Sequence, residues 1–182
     1  ADVGVIGVPN AGKSSFVGRV TKAHPKIAAY PFTTLEPVLG VVDNRGETFV
    51  IAEIPGLVEG AHQGVGLGHE FLRHAERTRI FLHLIDGSGI DPIEDFKRVN
   101  EELELYSPDL ATRPQIVVIN KTDIPEVRER LPELVSVLNE LGVEPLDISA
   151  ATGDGIQDVL DRLLQGVEPT PGKRKPAKEK FI

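Results

Sequence analysis

The chain has 182 residues, of which 40% are apolar and 26% charged, and its formal net charge is −8. This length and composition predict one folded domain with a sizeable core and exclude a disordered chain. The absence of cysteine excludes a disulfide scaffold, a thiol nucleophile and a cysteine-ligated zinc site, and no apolar run reaches the about 18 residues of a membrane span.

Short β-type runs alternate along the chain with segments of helical periodicity. Strands are predicted at 3–8, 38–43, 48–53, 80–86, 115–120 and 143–149. Helices are predicted at about 13–21, 70–77, 92–106, 127–141 and 156–164. The turn residues 44–46 join the second and third strands into a hairpin. This order predicts an α/β fold in three layers, with a six-stranded, mostly parallel sheet, one antiparallel hairpin strand, and ligands at the carboxyl ends of the strands.

The end of the chain differs in composition from the rest. Five Lys or Arg and one Glu lie within 173–180, so this segment carries +4 and the remainder −12. An acidic body argues against a DNA partner or any broad phosphate-backbone surface. We therefore expect a globular domain over 1–166 and a basic linker or tail over 167–182. Because the chain opens with neither Met nor a signal peptide, we expect a piece cut from a longer protein.

The segment Gly7-Val8-Pro9-Asn10-Ala11-Gly12-Lys13-Ser14 matches G-x-x-x-x-G-K-[ST] between a predicted strand and a predicted helix. Its backbone N–H groups would cradle phosphate oxygens beside the positive end of the helix dipole. Lys13 would bring a catalytic charge to the β- and γ-phosphates, and the Ser14 hydroxyl would bind Mg²⁺. The alternative is a chance glycine turn. The candidate phosphate-binding residues are Gly7, Pro9, Asn10, Ala11, Gly12, Lys13, Ser14 and Ser15.

A second motif, Asn120-Lys121-Thr122-Asp123, follows the predicted strand 115–120. The Asp123 carboxylate could accept both donors on one edge of guanine, whereas adenine offers an acceptor there and no 2-amino group. The Lys121 stem could cover the base, and Ser149-Ala150-Ala151 would bring backbone N–H groups to the guanine oxygen. The alternative for this motif is a helix cap after a strand. Together the two motifs predict a Ras-like G domain, a three-layer P-loop NTPase fold.

The loop Tyr30-Pro31-Phe32-Thr33-Thr34 lies between the first helix and the hairpin. A threonine here can meet Mg²⁺ with its hydroxyl and the γ-phosphate with its backbone N–H, which orders such a loop in the triphosphate state. We choose Thr34 over Thr33 for this role, with Phe32 as a neighbouring nucleotide contact. The alternative is a solvated threonine in a loop.

Glu53-Ile54-Pro55-Gly56 stands where a D-x-x-G motif belongs. The Gly56 N–H could bond the γ-phosphate, so Gly56 joins Lys13 and Thr34 as a candidate catalytic residue. Glu53 joins Ser14 and Thr34 as a candidate metal ligand. Because Glu is one methylene longer than Asp, about 1.5 Å, and Mg²⁺ demands near-ideal octahedral geometry, we hypothesise that Glu53 weakens or shifts Mg²⁺ binding. The alternative is that the loop adjusts. The five histidines lack metal-binding spacing, and we expect them to be structural or solvent-facing.

Leu57 follows Gly56, where Ras-like enzymes carry a glutamine that orients the attacking water. Leucine has no polar side-chain atom, so hydrolysis needs help from elsewhere. Asn10 is the candidate, because its side-chain oxygen could hold K⁺ against the phosphates as a substitute for an arginine finger. The alternative is that Asn10 only forms the turn, since asparagine tolerates the left-handed conformation.

The motifs together resemble the Obg family of GTPases, and two long stretches carry the resemblance: YPFTTLEPVLG at 30–40 and IPGLVEGAHQGVGLGHEFLRHAERT at 54–78. The resemblance covers about 1–166. It implies slow, Mg²⁺-dependent GTP hydrolysis in the cytoplasm, large ribosomal subunit assembly as the role, ppGpp as a further ligand, and flanking domains that this chain does not contain. Glu53 departs from the Asp usual in the family. Asn10 resembles the asparagine of cation-dependent GTPases, which supports the K⁺ hypothesis by analogy.

Other functions stay open at this point. The main alternative is a nucleotide-sensing module that binds GTP, GDP or ppGpp with little turnover, which Leu57 and Glu53 favour. A GTPase domain of a tRNA-modification or ion-transport protein would share Asn10, but the stretch 54–78 argues against it. Asp123 argues against an ATPase.

Overall fold

The computed structural model describes residues 1–21, 26–27, 38–54 and 75–167. Its seven-stranded sheet has the order β2-β3-β4-β1-β5-β6-β7. The strands are β1 (Val3–Ile6), β2 (Lys26–Ile27), β3 (Val38–Asn44), β4 (Glu47–Glu53), β5 (Ile80–Asp86), β6 (Gln115–Asn120) and β7 (Leu146–Asp147). Parallel pairs join β4, β1, β5, β6 and β7, and antiparallel pairs join β2 to β3 and β3 to β4. The predicted α/β fold with its hairpin strand is confirmed.

The described helices are α1 (Lys13–Val20), α2 (Pro92–Tyr106), α3 (Pro108–Ala111), α4 (Pro125–Glu140) and α5 (Ile156–Val167). Asp91 caps α2 by accepting from the Glu94 N–H at 3.1 Å, as its position before Pro92 predicts. Pro132 lies inside α4 and does not end it. Of the helix predicted at 70–77, only the end falls within the described residues, and Ala75 and Glu76 are helical there.

Four elements differ from the sequence-based expectation. The edge strand β2 lies in a segment without periodicity, and the single turn α3 was not predicted. The strand predicted at 143–149 is reduced to the two residues of β7. α5 continues to Val167, whose side chain is buried, so the helix includes the first residue assigned to the predicted tail. Residues 168–182 lie outside the described part.

The core occupies both faces of the sheet. Every residue of β5 is buried, because successive side chains of a strand point to opposite faces and both faces are covered. Leu82 and Leu84 pack on the side of α1 and α5, together with Phe16 and Leu163. The other face is filled from α2, α3 and α4, by side chains that include Val99, Leu103, Leu110, Leu134 and Leu138. This is the predicted three-layer arrangement. Within the described residues, no helix is both long and apolar enough to cross a bilayer.

The tip of the β3–β4 hairpin is attached to α5. Arg45 and Gly46 have φ of 56° and 83°, the left-handed values of a tight hairpin turn. Asp161 of α5 accepts from Asn44 Nδ2 at 3.0 Å and from Arg45 Nε at 3.1 Å. The hydrogen bond from Arg45 is the main reason that the pKa of Asp161 falls to about 2. The hairpin that ends at Glu53 is therefore anchored at its far end.

Candidate functional site

The phosphate loop lies between the carboxyl end of β1 and the start of α1, and close packing determines where its glycines stand. A Cβ on Gly7 would lie 2.5 Å from the Leu84 carbonyl oxygen, and one on Gly12 would lie 2.4 Å from Asn120 Nδ2. Gly12 also has a φ of 98°, a value that side chains disfavour. The loop therefore fits against β5 and β6 only with glycine at these two positions.

Lys13 folds back over the phosphate loop. Its Nζ donates to the carbonyl oxygens of Gly7 at 2.8 Å and Val8 at 3.2 Å. These bonds place the ammonium above the loop interior, where a phosphate would lie. Pro9, Asn10, Ser14 and Ser15 are exposed at the rim, and Ala11 is buried beneath it.

Asn10 has a φ of 68°. It therefore adopts the left-handed conformation that the turn-forming alternative expects. This conformation is compatible with a cation-holding role as well, because the exposed side chain remains at the rim of the loop.

Asn120 connects the phosphate loop with the two segments predicted to contact the base, 120–123 and 149–151. Its Nδ2 donates to the Ala11 carbonyl at 2.9 Å, and its Oδ1 accepts from the Lys121 N–H at 2.8 Å and the Ala150 N–H at 3.0 Å. Asn120 is 2% exposed, so breaking this set would leave a buried amide unsatisfied. The three segments that the motifs predict as one site are thus connected through a single side chain.

Asp123 is oriented by a neighbouring hydroxyl. Ser149 Oγ donates to Asp123 Oδ1 at 2.8 Å and accepts from the Thr152 N–H at 3.0 Å. Asp123 itself is exposed, so its second oxygen can meet a ligand. A carboxylate held in one orientation and open on one side suits two parallel donors on a planar base.

Lys121 pairs with Asp86, a residue that sequence reasoning missed. Lys121 Nζ lies 3.1 Å from Asp86 Oδ2, and the Lys121 backbone has a φ of 74°. Burial would raise the pKa of Asp86, but hydrogen bonds from Ser88 and Lys121 outweigh burial and hold this pKa below its usual value. The only sequence signal for Asp86 is an acidic residue at the end of a buried apolar strand, where a parallel sheet places its ligands.

Ser14 and Glu53, two of the predicted Mg²⁺ ligands, lie next to each other. Ser14 Oγ donates to Glu53 Oε2 at 3.0 Å, and the Val38 N–H reaches the same oxygen at 3.3 Å. Two adjacent ligands on an octahedral Mg²⁺ with bonds of about 2.1 Å stand about 3.0 Å apart, so these two oxygens fit that ion. Among the described residues, no group of three or more His, Asp or Glu side chains could hold a metal.

Several predicted residues lie outside the described part of the chain: Phe32, Thr34, Gly56, Leu57 and the histidines at 24, 62, 69 and 74. His83 is described, and it is structural as expected. Its ring is 1% exposed and its Nδ1 lies 3.1 Å from Gln115 Oε1. Burial lowers the pKa of His83 from 6.5 to about 4, so the ring is neutral near pH 7.

The sequence of this chain is similar to those of known proteins. Residues 2–121 match the family described as 50S ribosome-binding GTPase. The chain is 54% identical over 179 residues to GTPase Obg of Symbiobacterium thermophilum, covering 94% of this chain and 42% of that protein. It is 56% identical over 165 residues to GTPase Obg of Alkaliphilus metalliredigens, covering 88% of this chain and 39% of that protein. The chain thus spans about two fifths of the length of the curated relatives that it matches.

Among solved structures, the G domain of the FeoB iron transporter from T. maritima superposes with a TM-score of 0.67 at 20% identity. The match covers 91% of this chain and 98% of that domain. The cytosolic domain of L. pneumophila FeoB gives a TM-score of 0.63 at 23% identity, covering 90% of this chain and 68% of that one. At these identities the likeness concerns the fold alone, which is that of a G domain.

Proposed function

Since the chain belongs to the 50S ribosome-binding GTPase family, we propose that it binds GTP at the edge formed by residues 7–15, 120–123 and 149–151 and hydrolyses it slowly to GDP and phosphate. The resemblance to the Obg family is confirmed by relatives near 50% identity. The observation that carries the proposal is the Asn120 side chain, whose hydrogen bonds assemble the phosphate half and the base half of a nucleotide site at one place.

Each half has a defined task. Asp123 accepts the N1–H and 2-amino donors of guanine, while Ser149 keeps the carboxylate in orientation. The Lys121 stem covers one face of the base because Asp86 draws its ammonium along the edge of the sheet. The phosphates lie in the backbone cradle of 7–12, and Lys13 neutralises charge on them.

Ser14, Thr34 and Glu53 would hold Mg²⁺ beside the phosphates. When bound, this ion neutralises charge that develops on the phosphate oxygens. Glu53 also accepts from the N–H of Val38, just after the loop that contains Thr34. The Glu53 oxygen that stands at ligand spacing from Ser14 Oγ therefore also accepts from the first strand of the hairpin. The hypothesis that Glu53 weakens or shifts Mg²⁺ binding relative to Asp rests on this competing contact.

Slow GTP hydrolysis follows from the lack of a polar side chain at position 57 to orient the attacking water. Leu57 offers no polar atom to orient the attacking water, and Gly56 and Thr34 supply only contacts to the γ-phosphate and the metal. We propose that Asn10 holds K⁺ against the phosphates and so raises the rate.

A second candidate function is a sensor that binds GTP, GDP or ppGpp with little turnover. Leu57 and Glu53 favour it, because both weaken the hydrolytic machinery without touching the base-reading residues.

The whole protein's partners are also proposals. The family's description points to the large ribosomal subunit, and we place its action in the cytoplasm, where that particle is assembled. The acidic body offers no broad phosphate-binding surface. We therefore propose that contact with a ribosomal particle lies in parts of the whole protein outside this chain or in the basic tail, which was predicted at 167–182 and is shortened to 168–182 because Val167 belongs to α5.

Phosphate release from GTP under saturating Mg²⁺ tests these proposals, first with K⁺ and then with Na⁺. The GTPase proposal expects slow multiple turnover, and the sensor alternative expects binding without release. The cation hypothesis expects faster release in K⁺ and loss of that difference in Asn10→Ala. Equal rates in the two salts would refute the K⁺ role, and adding ribosomal particles tests for the partner.

A further inference from the structure

Arg19 is hydrogen-bonded to the loop that follows β7. It lies on α1, and its Nε and Nη2 donate to the carbonyl oxygens of Ala150 and Ala151, each at 2.6 Å. Gly153 leaves room for the guanidinium, since a Cβ there would lie 3.3 Å from Arg19 Nη1. Gly153 also has a φ of 95°, which disfavours any other residue.

The first peptide unit of this loop is held without Arg19. The Ser149 carbonyl accepts from the Gly153 N–H at 2.8 Å. At the other end of the same unit, the Ala150 N–H donates to Asn120 Oδ1 at 3.0 Å. Both polar groups of this unit are therefore already engaged.

The next two units depend on Arg19. The unit between Ala151 and Thr152 is held at both ends, by Arg19 on its carbonyl and by Ser149 Oγ on its N–H at 3.0 Å. The unit between Ala150 and Ala151 is held at its carbonyl alone, by Arg19. Within the described residues, the Ala151 N–H donates to no acceptor, so it is available to a ligand.

We propose that Arg19 is a positioning residue that aims the Ala151 N–H at the 6-oxo oxygen of a bound guanine. The C=O and N–H of a trans peptide point in opposite directions in one plane, so a hold on the Ala150 carbonyl sets the direction of the Ala151 N–H. A donor that is already aimed costs no ordering when the base arrives. This inference rests on the proposed guanine site and adds a residue that none of its sequence motifs contains.

The chemistry of the base makes the proposal specific. Guanine and hypoxanthine both carry an oxygen at C6, whereas adenine carries an amino group there and cannot accept from the Ala151 N–H. Loss of Arg19 should therefore weaken the binding of the two oxo bases by the same factor. It should leave adenine nucleotides unaffected, because these bind through the phosphate loop alone.

The test is titration of the chain and Arg19→Ala with GDP, IDP and ADP, together with the dissociation rate of a fluorescent GDP. We expect affinities for GDP and IDP to fall about tenfold, equal to 1.4 kcal/mol, with GDP dissociating correspondingly faster and ADP affinity unchanged. The affinities of Arg19→Lys for GDP and IDP should lie between those of the parent and Arg19→Ala, because an ammonium lacks the forked guanidinium that spans two carbonyls. Arg98→Ala, which removes an exposed arginine of α2, is the matched control and should bind like the parent chain.

Thermal unfolding of each variant separates positioning from folding. Equal weakening of all three nucleotides in both Arg19 variants, or unchanged GDP affinity, would overturn the inference. If the parent chain itself bound GDP no better than ADP, the proposed function would fail and this inference with it.

Discussion

Asp123→Asn is the sharpest perturbation of the base-reading site. The asparagine Oδ1 can accept from Ser149 Oγ where Asp123 Oδ1 now does, at 2.8 Å, so the side chain should keep its orientation. The second carboxylate oxygen becomes an NH₂ donor that faces the donors of guanine. Two hydrogen bonds to a charged group contribute about 1.5–3 kcal/mol each, so we expect GDP affinity to fall about 10²- to 10⁴-fold.

The same change should favour xanthine, whose C2 oxygen can accept from the new amide. Equilibrium competition against a fluorescent nucleotide, with GDP and xanthosine diphosphate as competitors, measures both effects. The parent chain should prefer GDP, and Asp123→Asn should prefer xanthosine diphosphate. Asp158→Asn, on the exposed face of α5, is the matched control. If Asp123→Asn kept the GDP affinity within about threefold and gained nothing for xanthine, Asp123 would not read the base edge.

Three further predictions concern the candidate metal ligand Glu53, the pair formed by Asp86 and Lys121, and the buried His83. Glu53→Asp should bind Mg²⁺ about tenfold more tightly in titrations of the GDP-bound chain, with Glu47→Asp as control; unchanged Mg²⁺ affinity and hydrolysis would refute the hypothesis. Asp86→Asn frees the Lys121 ammonium and should weaken GDP binding about tenfold, measured by calorimetry, whereas the control Asp109→Asn, at an exposed position, should not. Equal GDP affinities of Asp86→Asn and the parent would show that Asp86 does not position Lys121 for the base. The folded-state pKa of His83 is about 4 against 6.5 unfolded, so only the unfolded chain gains a proton as the pH falls below 6.5. In urea unfolding, the free energy of unfolding of the parent chain should therefore fall by about 2 kcal/mol more than that of His83→Gln between pH 7.5 and pH 5. Parallel pH profiles of the two free energies would contradict a buried neutral ring.

The phosphate loop and the buried strands could be predicted because their signals are local. A glycine-rich loop between a strand and a helix has a fixed spacing, and the apolar runs of β1, β5 and β6 record burial on both faces of a parallel sheet. The edge strand β2 escaped prediction because two residues cannot establish a period. The strand predicted at 143–149 was too long because only Leu146 and Asp147 pair with β6, and Pro145 just before them has no N–H to donate to a neighbouring strand.

The contacts that assemble the site could not be predicted. Arg19 meets Ala150 across 131 positions of the chain, and Asn120 meets Ala11 across 109. Motifs identified Asn120 and Ala11 as site residues, but their hydrogen bonds depend on how helices and strands pack. Arg19 and Asp86 belong to no motif, and only the folded arrangement brings them to the nucleotide edge.

The most direct test of a guanine-nucleotide site is calorimetric titration of this chain with GDP and ADP in parallel, with Mg²⁺ present. We expect one GDP per chain and an affinity for ADP that is weaker by a factor of at least about 10³, because adenine lacks the groups that Asp123 and the 150–151 loop would contact on guanine. Equal affinities, or no GDP binding by a folded chain, would contradict this expectation.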